Sequence, residues 1–141
     1  MPVRNAHAEW NGSIQEGGGT MALGSGAFEG PYSFQSRMED GSGTNPEELI
    51  GAAHAGCFSM ALSLILGGAG HEPESIETDA RVRFDKQGEG WAITGIQLTT
   101  RGRVPGIDED EFRHLAEQAK DNCPVSQALK AVDVTLEASL A

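Results

Sequence analysis

The sequence has few basic residues, and this shortage excludes several kinds of partner. Ten lysine and arginine residues stand against 21 aspartate and glutamate residues, so the formal net charge at pH 7 is −11. A chain of this charge is repelled by the phosphates of nucleic acids and by anionic membrane surfaces. We therefore expect neither nucleic acid nor a membrane as a partner.

Cysteine is also scarce, with only Cys57 and Cys123 in the chain. Two cysteines are too few for a disulfide-dense scaffold, and no Cys/His spacing resembles a zinc site. We therefore expect no metal and no other cofactor. The first residues, MPVRNAHAEWNG, do not resemble a signal peptide, so the expected compartment is the cytoplasm. In a reducing compartment, two cysteines are more often reactive than structural.

One long apolar stretch runs over residues 49–66. It is short for a membrane span of about 20 residues, and it contains His54 and two serines, so a buried core helix is the better interpretation. Asn45 suits the N-cap, Pro46 the first helical position, and Glu47 the positive end of the helix dipole. Because apolar residues lie on nearly every face, we expect little solvent exposure, and an obligate dimer would supply the missing cover.

The rest of the chain predicts an α+β fold with a largely antiparallel sheet, formed by residues 1–141 as a single domain. A second helix starts near Asp108, where Glu111 would complete a capping box, and ends near Asn122; a short third helix begins at Cys123. Alternating or turn-bounded apolar patterns predict strands over residues 3–10, 20–23, 31–38, 76–85, 91–104 and 132–140.

The two cysteines suggest a redox couple in which one thiol is oxidised and the other resolves it to a disulfide. Burial should raise the pKa of Cys57, which would leave it an inert core residue unless a cation stabilised the thiolate. Arg37 is the candidate cation, because it stands alone just before the turn into the Cys57 helix. Cys123, at a helix N-cap before Pro124, would have its thiolate favoured by the helix dipole, although a chance cap stays open.

Glu47 could orient Arg37, although it could equally be an ordinary acidic residue at a helix start. It precedes Cys57 by ten residues, about 15 Å of helix rise. In a dimer with antiparallel central helices, Glu47 of one chain would approach Cys57 of the other. His54 lies one turn before Cys57 and suggests a different chemistry, a thiol hydrolase with imidazole as base, but no orienting acid is evident.

Two segments, TNPEELIGAAHAGCFSMALSLIL and NCPVSQALKAVDVTLE, resemble the osmotically inducible protein C family, relatives of the organic hydroperoxide resistance proteins. The opening AEWNGSIQEGGGT, the segment PYSFQSRME and the VPGID segment match as well, in the expected order. The resemblance therefore covers almost the whole chain.

This resemblance implies an intertwined homodimer, with two central helices enclosed by β-sheets and two active sites at the interface. It also implies a peroxidase that reduces organic hydroperoxides and is reset by a small or protein-bound dithiol. By motif position, Cys57 matches the peroxidatic cysteine, Cys123 the resolving cysteine, Arg37 the activating arginine on the strand before the central helix, and Glu47 its carboxylate partner. A Cys/His thiol hydrolase and an apolar-ligand binding protein stay as alternatives.

Overall fold

The chain folds into six strands and four helices, and the computed structural model describes all 141 residues. It divides into two compact units, residues 1–49 and residues 50–141; that they form one domain stays a prediction. The strands are β1 (Ala6–Asn11), β2 (Gly18–Leu23), β3 (Glu29–Tyr32), β4 (Ser75–Gln87), β5 (Gly90–Arg103) and β6 (Asp133–Leu140). The helices are α1 (Phe34–Met38), α2 (Pro46–Gly68), α3 (Glu109–Asn122) and α4 (Pro124–Ala128).

The first unit contains an antiparallel sheet in the order β1-β2-β3, followed by α1. The prediction of a strand over residues 31–38 is wrong after Tyr32, where the chain turns into helix. Ser33 causes the change: its hydroxyl accepts a hydrogen bond from the N–H of Ser36 at 3.1 Å, and the Ser36 hydroxyl accepts one from the N–H of Ser33 at 2.8 Å. This capping box starts a helix, so Arg37 lies on α1 rather than on a strand.

The second unit contains a separate sheet in the order β4-β5-β6. β4 and β5 form the predicted antiparallel hairpin, while β6 runs parallel to β5, with Ile96 opposite Val134. The α+β class is therefore confirmed, with two three-stranded sheets. The core lies between α2, β5 and α3, and its fully buried large apolar side chains are Phe58, Leu62, Leu66, Ile96, Leu98 and Phe112.

Helix α2 is 23 residues long and buries only one of its faces in a single chain. His54, Phe58 and Leu62 form a buried stripe at four-residue spacing, as expected for one helical face. In contrast, the side chains of Met60 and Leu64 are 76% and 78% exposed. A single chain therefore leaves this face of α2 uncovered, and the expected cover by a dimer partner stays a prediction. By length and mean hydropathy (1.8) alone α2 could also cross a membrane, a test that core helices of soluble proteins pass as well.

Helix α3 brings the chain to the second cysteine. Asp108 caps it by accepting a hydrogen bond from the N–H of Glu111 at 2.8 Å. Only this half of the predicted capping box is formed, because the Glu111 carboxylate lies 3.5 Å from His71 instead. Cys123 ends α3, with its N–H bonded to the carbonyl of Ala119 at 2.9 Å, and begins α4 as the N-cap residue.

Candidate active site

The two cysteines, which are 66 positions apart in the sequence, meet in the structure. Cys57 lies in the middle of α2 and is partly buried, whereas Cys123, at the junction of α3 and α4, is fully buried. Both thiols are free, and a hydrogen bond joins their side chains. Two thiols in contact can form a disulfide with a small local movement, because the bond needs the sulfur atoms about 2.05 Å apart.

The first turn of α4 also contacts Cys57. Pro124 occupies the first turn and has no N–H to offer, so the next backbone donor is Val125, which makes a hydrogen bond to the Cys57 side chain. The Cys123 side chain makes no capping hydrogen bond, although the N-cap position predicted for it is confirmed. The start of α4 therefore brings both a thiol and a backbone donor to Cys57.

The surroundings of Cys57 keep its thiol protonated. Burial raises its pKa most, and the hydrogen bond with Cys123 raises it further, while the backbone bond from Val125 lowers it by less. The sequence-based expectation for this pKa is therefore confirmed. Within the second unit, none of the groups that set this pKa is a cation. Because only the thiolate attacks a peroxide, these surroundings alone give a slow nucleophile.

Arg37 and Glu47, both in the first unit, form the ion pair that the sequence suggested. Nη2 and Nε of Arg37 lie 2.7 and 3.0 Å from Oε1 of Glu47, and Nε also lies 3.2 Å from Oε2. The glutamate is 7% exposed, while the arginine side chain is 40% exposed. Asn45 links the start of α2, which carries Glu47, to α1, which carries Arg37. Its side chain accepts a hydrogen bond from the N–H of Glu48 and donates one to the carbonyl of Ser36 on α1.

His54 does not have the partners of a catalytic base. It is fully buried, and its Nε2 lies 2.7 Å from the hydroxyl of Ser126 on α4. Its other nitrogen, Nδ1, has no hydrogen-bond partner, so no carboxylate orients the ring. Burial lowers the pKa of His54, which keeps the ring neutral. Ser126 was missed in the sequence; its only signal was its place in the CPVS segment.

Acidic, histidine and cysteine side chains do not gather anywhere in the structure in a way that could hold a metal ion. The second unit therefore holds two thiols and a histidine–serine pair, and the first unit holds an arginine–glutamate pair.

Comparison with known proteins decides the family. The profile of the OsmC-like protein family matches residues 39–137. The chain belongs to the OsmC-like family. It is 52% identical over 138 residues to a peroxiredoxin OsmC from Escherichia coli, covering 97% of this chain and 96% of that protein. An organic hydroperoxide resistance protein from Xanthomonas axonopodis is 35% identical over 98 residues, covering 68% and 67% of the two chains.

The fold agrees with this family. The crystal structure of the organic hydroperoxide resistance protein OhrB of Bacillus subtilis superimposes with a TM-score of 0.76 at 26% identity, covering 96% of this chain and 98% of that one. The resemblance stated from the sequence is thereby confirmed. The OsmC-like assignment covers both cysteines and Glu47, while Arg37 lies two residues before the matched segment.

Proposed function

We propose that the protein is a cysteine-based peroxidase that reduces organic hydroperoxides to alcohols in defence against oxidative and osmotic stress. The observation that carries the proposal is the contact between the free thiols of Cys57 and Cys123. The names of the relatives, peroxiredoxin and organic hydroperoxide resistance protein, support the same chemistry. We expect it to act in the cytoplasm.

The reaction proceeds in three steps. The Cys57 thiolate attacks the distal oxygen of the hydroperoxide; the O–O bond breaks, and the departing alkoxide takes up a proton and leaves as an alcohol. Cys57 is now a sulfenic acid. Cys123 attacks its sulfur, hydroxide leaves and is protonated to water, and a Cys57–Cys123 disulfide forms. An external dithiol then exchanges with this disulfide, becomes oxidised itself and restores both thiols. No metal, haem or flavin is required for any step.

Cys57 needs a cation for the first step, and the Arg37–Glu47 pair is the proposed source. A guanidinium near the sulfur would lower the thiol pKa and donate hydrogen bonds to the peroxide oxygens. Arg37 is tied to Glu47 by three short contacts, and Glu47 precedes Cys57 by ten residues of α2, about 15 Å of rise. We therefore place the Arg37–Glu47 pair of one chain at the Cys57 of its partner.

A homodimer with antiparallel central helices would create this arrangement. The exposed face of α2, with Met60 and Leu64, is apolar and needs cover. A two-fold axis across that face would bring the N-terminal end of one α2 towards the middle of the other. The two open sheets offer unpaired edges, including the 13-residue strand β4, at which the chains can intertwine.

The experiment is to titrate free thiols before and after one equivalent of cumene hydroperoxide. We expect both thiols to disappear and mass spectrometry to show one intramolecular disulfide, with a loss of two hydrogens per chain. Hydrogen peroxide serves as a matched oxidant and should react more slowly, because the apolar surroundings of Cys57 favour an alkyl group.

The Cys123→Ser variant separates the peroxidase from a thiol hydrolase. A peroxidase without Cys123 stops after one turnover with Cys57 oxidised, whereas a hydrolase using His54 would keep its activity. Unchanged free thiols in the wild-type protein would point to an apolar-ligand binding protein instead. A disulfide only between two Cys57 residues of different chains would also contradict the proposal.

A further inference from the structure

Helices α2 and α4 contact each other through two polar pairs with matched spacing. Cys57 pairs with Cys123, and three residues earlier on α2, His54 pairs with Ser126, which lies three residues later on α4. The two pairs therefore run antiparallel along the helices. The Cys57–Cys123 pair carries the thiols, whereas the His54–Ser126 pair does not take part in the chemistry proposed above.

Helix α4 is too short to hold its own position. It has five residues, far fewer than an isolated helix needs in water. Its other side-chain hydrogen bond, from Gln127 to the carbonyl of Asp121, stays within the adjoining segment of the chain. The bond between Ser126 and His54 ties it to α2, and both partners are buried, at 8% and 0% exposure. Water therefore does not compete for this bond.

The ring of His54 uses one of its two nitrogens for the bond to Ser126 and leaves the other without a hydrogen bond. With Nε2 at 2.7 Å from the Ser126 hydroxyl, Nδ1 is left buried without a partner. Buried polar atoms without partners are uncommon, and an apolar side chain would fill the same place without leaving one. The histidine is therefore better explained by its contact with α4 than by packing.

Disulfide formation requires α4 to hold Cys123 in the correct position, whereas oxidation of Cys57 by the peroxide does not. The Cys123 sulfur must move from hydrogen-bond contact to bonding distance of the oxidised Cys57, with a restricted geometry about the new bond. If α4 slides or rotates, its N-cap residue Cys123 moves with it. The hydrogen bond between Ser126 and His54 holds α4 at a second position, about one turn from Cys123, and so restricts such movement.

We propose that His54 and Ser126 are positioning residues that hold α4 on α2, so that Cys123 is aligned to resolve the oxidised Cys57. The inference rests on the proposed peroxidase function. It assigns the pair to the second step of that reaction, not to the attack on the peroxide.

The test measures the two steps separately in the full-length protein. One equivalent of cumene hydroperoxide is added, samples are quenched over time with dimedone, which traps sulfenic acid, and mass spectrometry counts the adduct, the disulfide and the sulfinic acid at Cys57. For Ser126→Ala and His54→Gln we expect disulfide formation to be slowed about tenfold, with more adduct and more sulfinic acid per equivalent. Ser126→Thr, which keeps a hydroxyl, should restore the wild-type ratio of disulfide to adduct.

Ser59→Ala is the matched control. Ser59 also lies on α2, and its hydroxyl makes a 2.8 Å hydrogen bond to Thr78 on β4, away from α4. Its loss should weaken the fold in a similar way but leave the ratio of disulfide to adduct unchanged. An equal change in Ser59→Ala would show that general destabilisation, and not positioning, is responsible.

The outcomes separate this inference from the function on which it rests. If the wild-type protein forms no intramolecular disulfide, the proposed function fails. If the wild type forms it and both variants form it at the wild-type rate, the function stands and the positioning role is refuted. Should Ser126→Ala fail to fold, as judged by circular dichroism, His54→Gln and Ser126→Thr carry the same comparison.

Discussion

A mixed dimer can tell whether Glu47 supports the active site of its own chain or that of its partner. One chain carries Glu47→Gln and keeps Cys57, while the other carries Cys57→Ser and keeps Glu47. The only remaining Cys57 then has a glutamine at position 47 in its own chain and a glutamate in the partner. If the pair acts across the interface, that Cys57 should react with peroxide at nearly the wild-type rate per site.

The size of the effect follows from the contacts that Glu47 makes. Its carboxylate holds Arg37 through three nitrogen–oxygen contacts of 2.7–3.2 Å and is 7% exposed. Hydrogen bonds to charged groups contribute about 1.5–3 kcal/mol, and each tenfold in rate corresponds to about 1.4 kcal/mol. A glutamine keeps one of the two acceptor oxygens but loses the charge. The Glu47→Gln homodimer should therefore oxidise about 10- to 100-fold more slowly than the wild type.

The two chains are co-expressed with different affinity tags and purified through both, because an obligate dimer cannot be mixed from folded subunits. Thiol loss is followed with excess cumene hydroperoxide, and the Glu47→Gln homodimer and a mixed dimer carrying only Cys57→Ser set the lower and upper limits. A rate at the lower limit would show that Glu47 acts within its own chain, and the antiparallel packing would then be wrong.

Other changes give independent tests. Arg37→Ala should slow Cys57 oxidation at least tenfold at neutral pH without a change in far-UV circular dichroism; an unchanged rate would move the activating role to another group. Leu64→Glu should prevent dimerisation, and dilution of the wild type should lead to unfolding, whereas a folded monomer in analytical ultracentrifugation would contradict the obligate dimer. Because burial lowers the pKa of His54, the unfolded chain binds this proton more readily than the folded one, so stability is intact above pH 6.5 and decreases below it. Denaturant titrations of His54→Gln should lack that part of the decrease; parallel curves for the two proteins would refute it.

The elements with strong local signals could be predicted from the sequence. Helix α2 starts at its predicted position, because Asn45 and Pro46 are local determinants of a helix start. The prediction of a strand over the α1 segment was wrong because the apolar and polar residues of that segment alternate as they do in a strand. The capping contact between Ser33 and Ser36, which decides the outcome, involves a residue pair that is common in strands and turns as well.

The polar contacts of the site could be predicted only where both partners carried a signal. Arg37 and Glu47 are ten residues apart, and the family motif identified both. His54 and Ser126 are 72 residues apart, and no pattern within one chain relates them. The three-residue spacing of His54 and Cys57 suggested that these two residues pair with each other within α2. In the structure the helix places these residues side by side, and each contacts a different residue of α4.

A single chain leaves an apolar face of α2 exposed and keeps the thiol of Cys57 protonated. One partner chain could cover that face and also bring a cation to the thiol. Apolar cover over Met60 and Leu64 would remove water from the neighbourhood of Cys57 and raise its pKa further. A partner that supplied only cover would therefore make the thiol less reactive. It must bring a cation into the same dry region, and a lone buried arginine is costly. An arginine already paired with a buried glutamate could enter such a region with its charge compensated, and the proposed dimer would then give Glu47 a physical role beyond orientation.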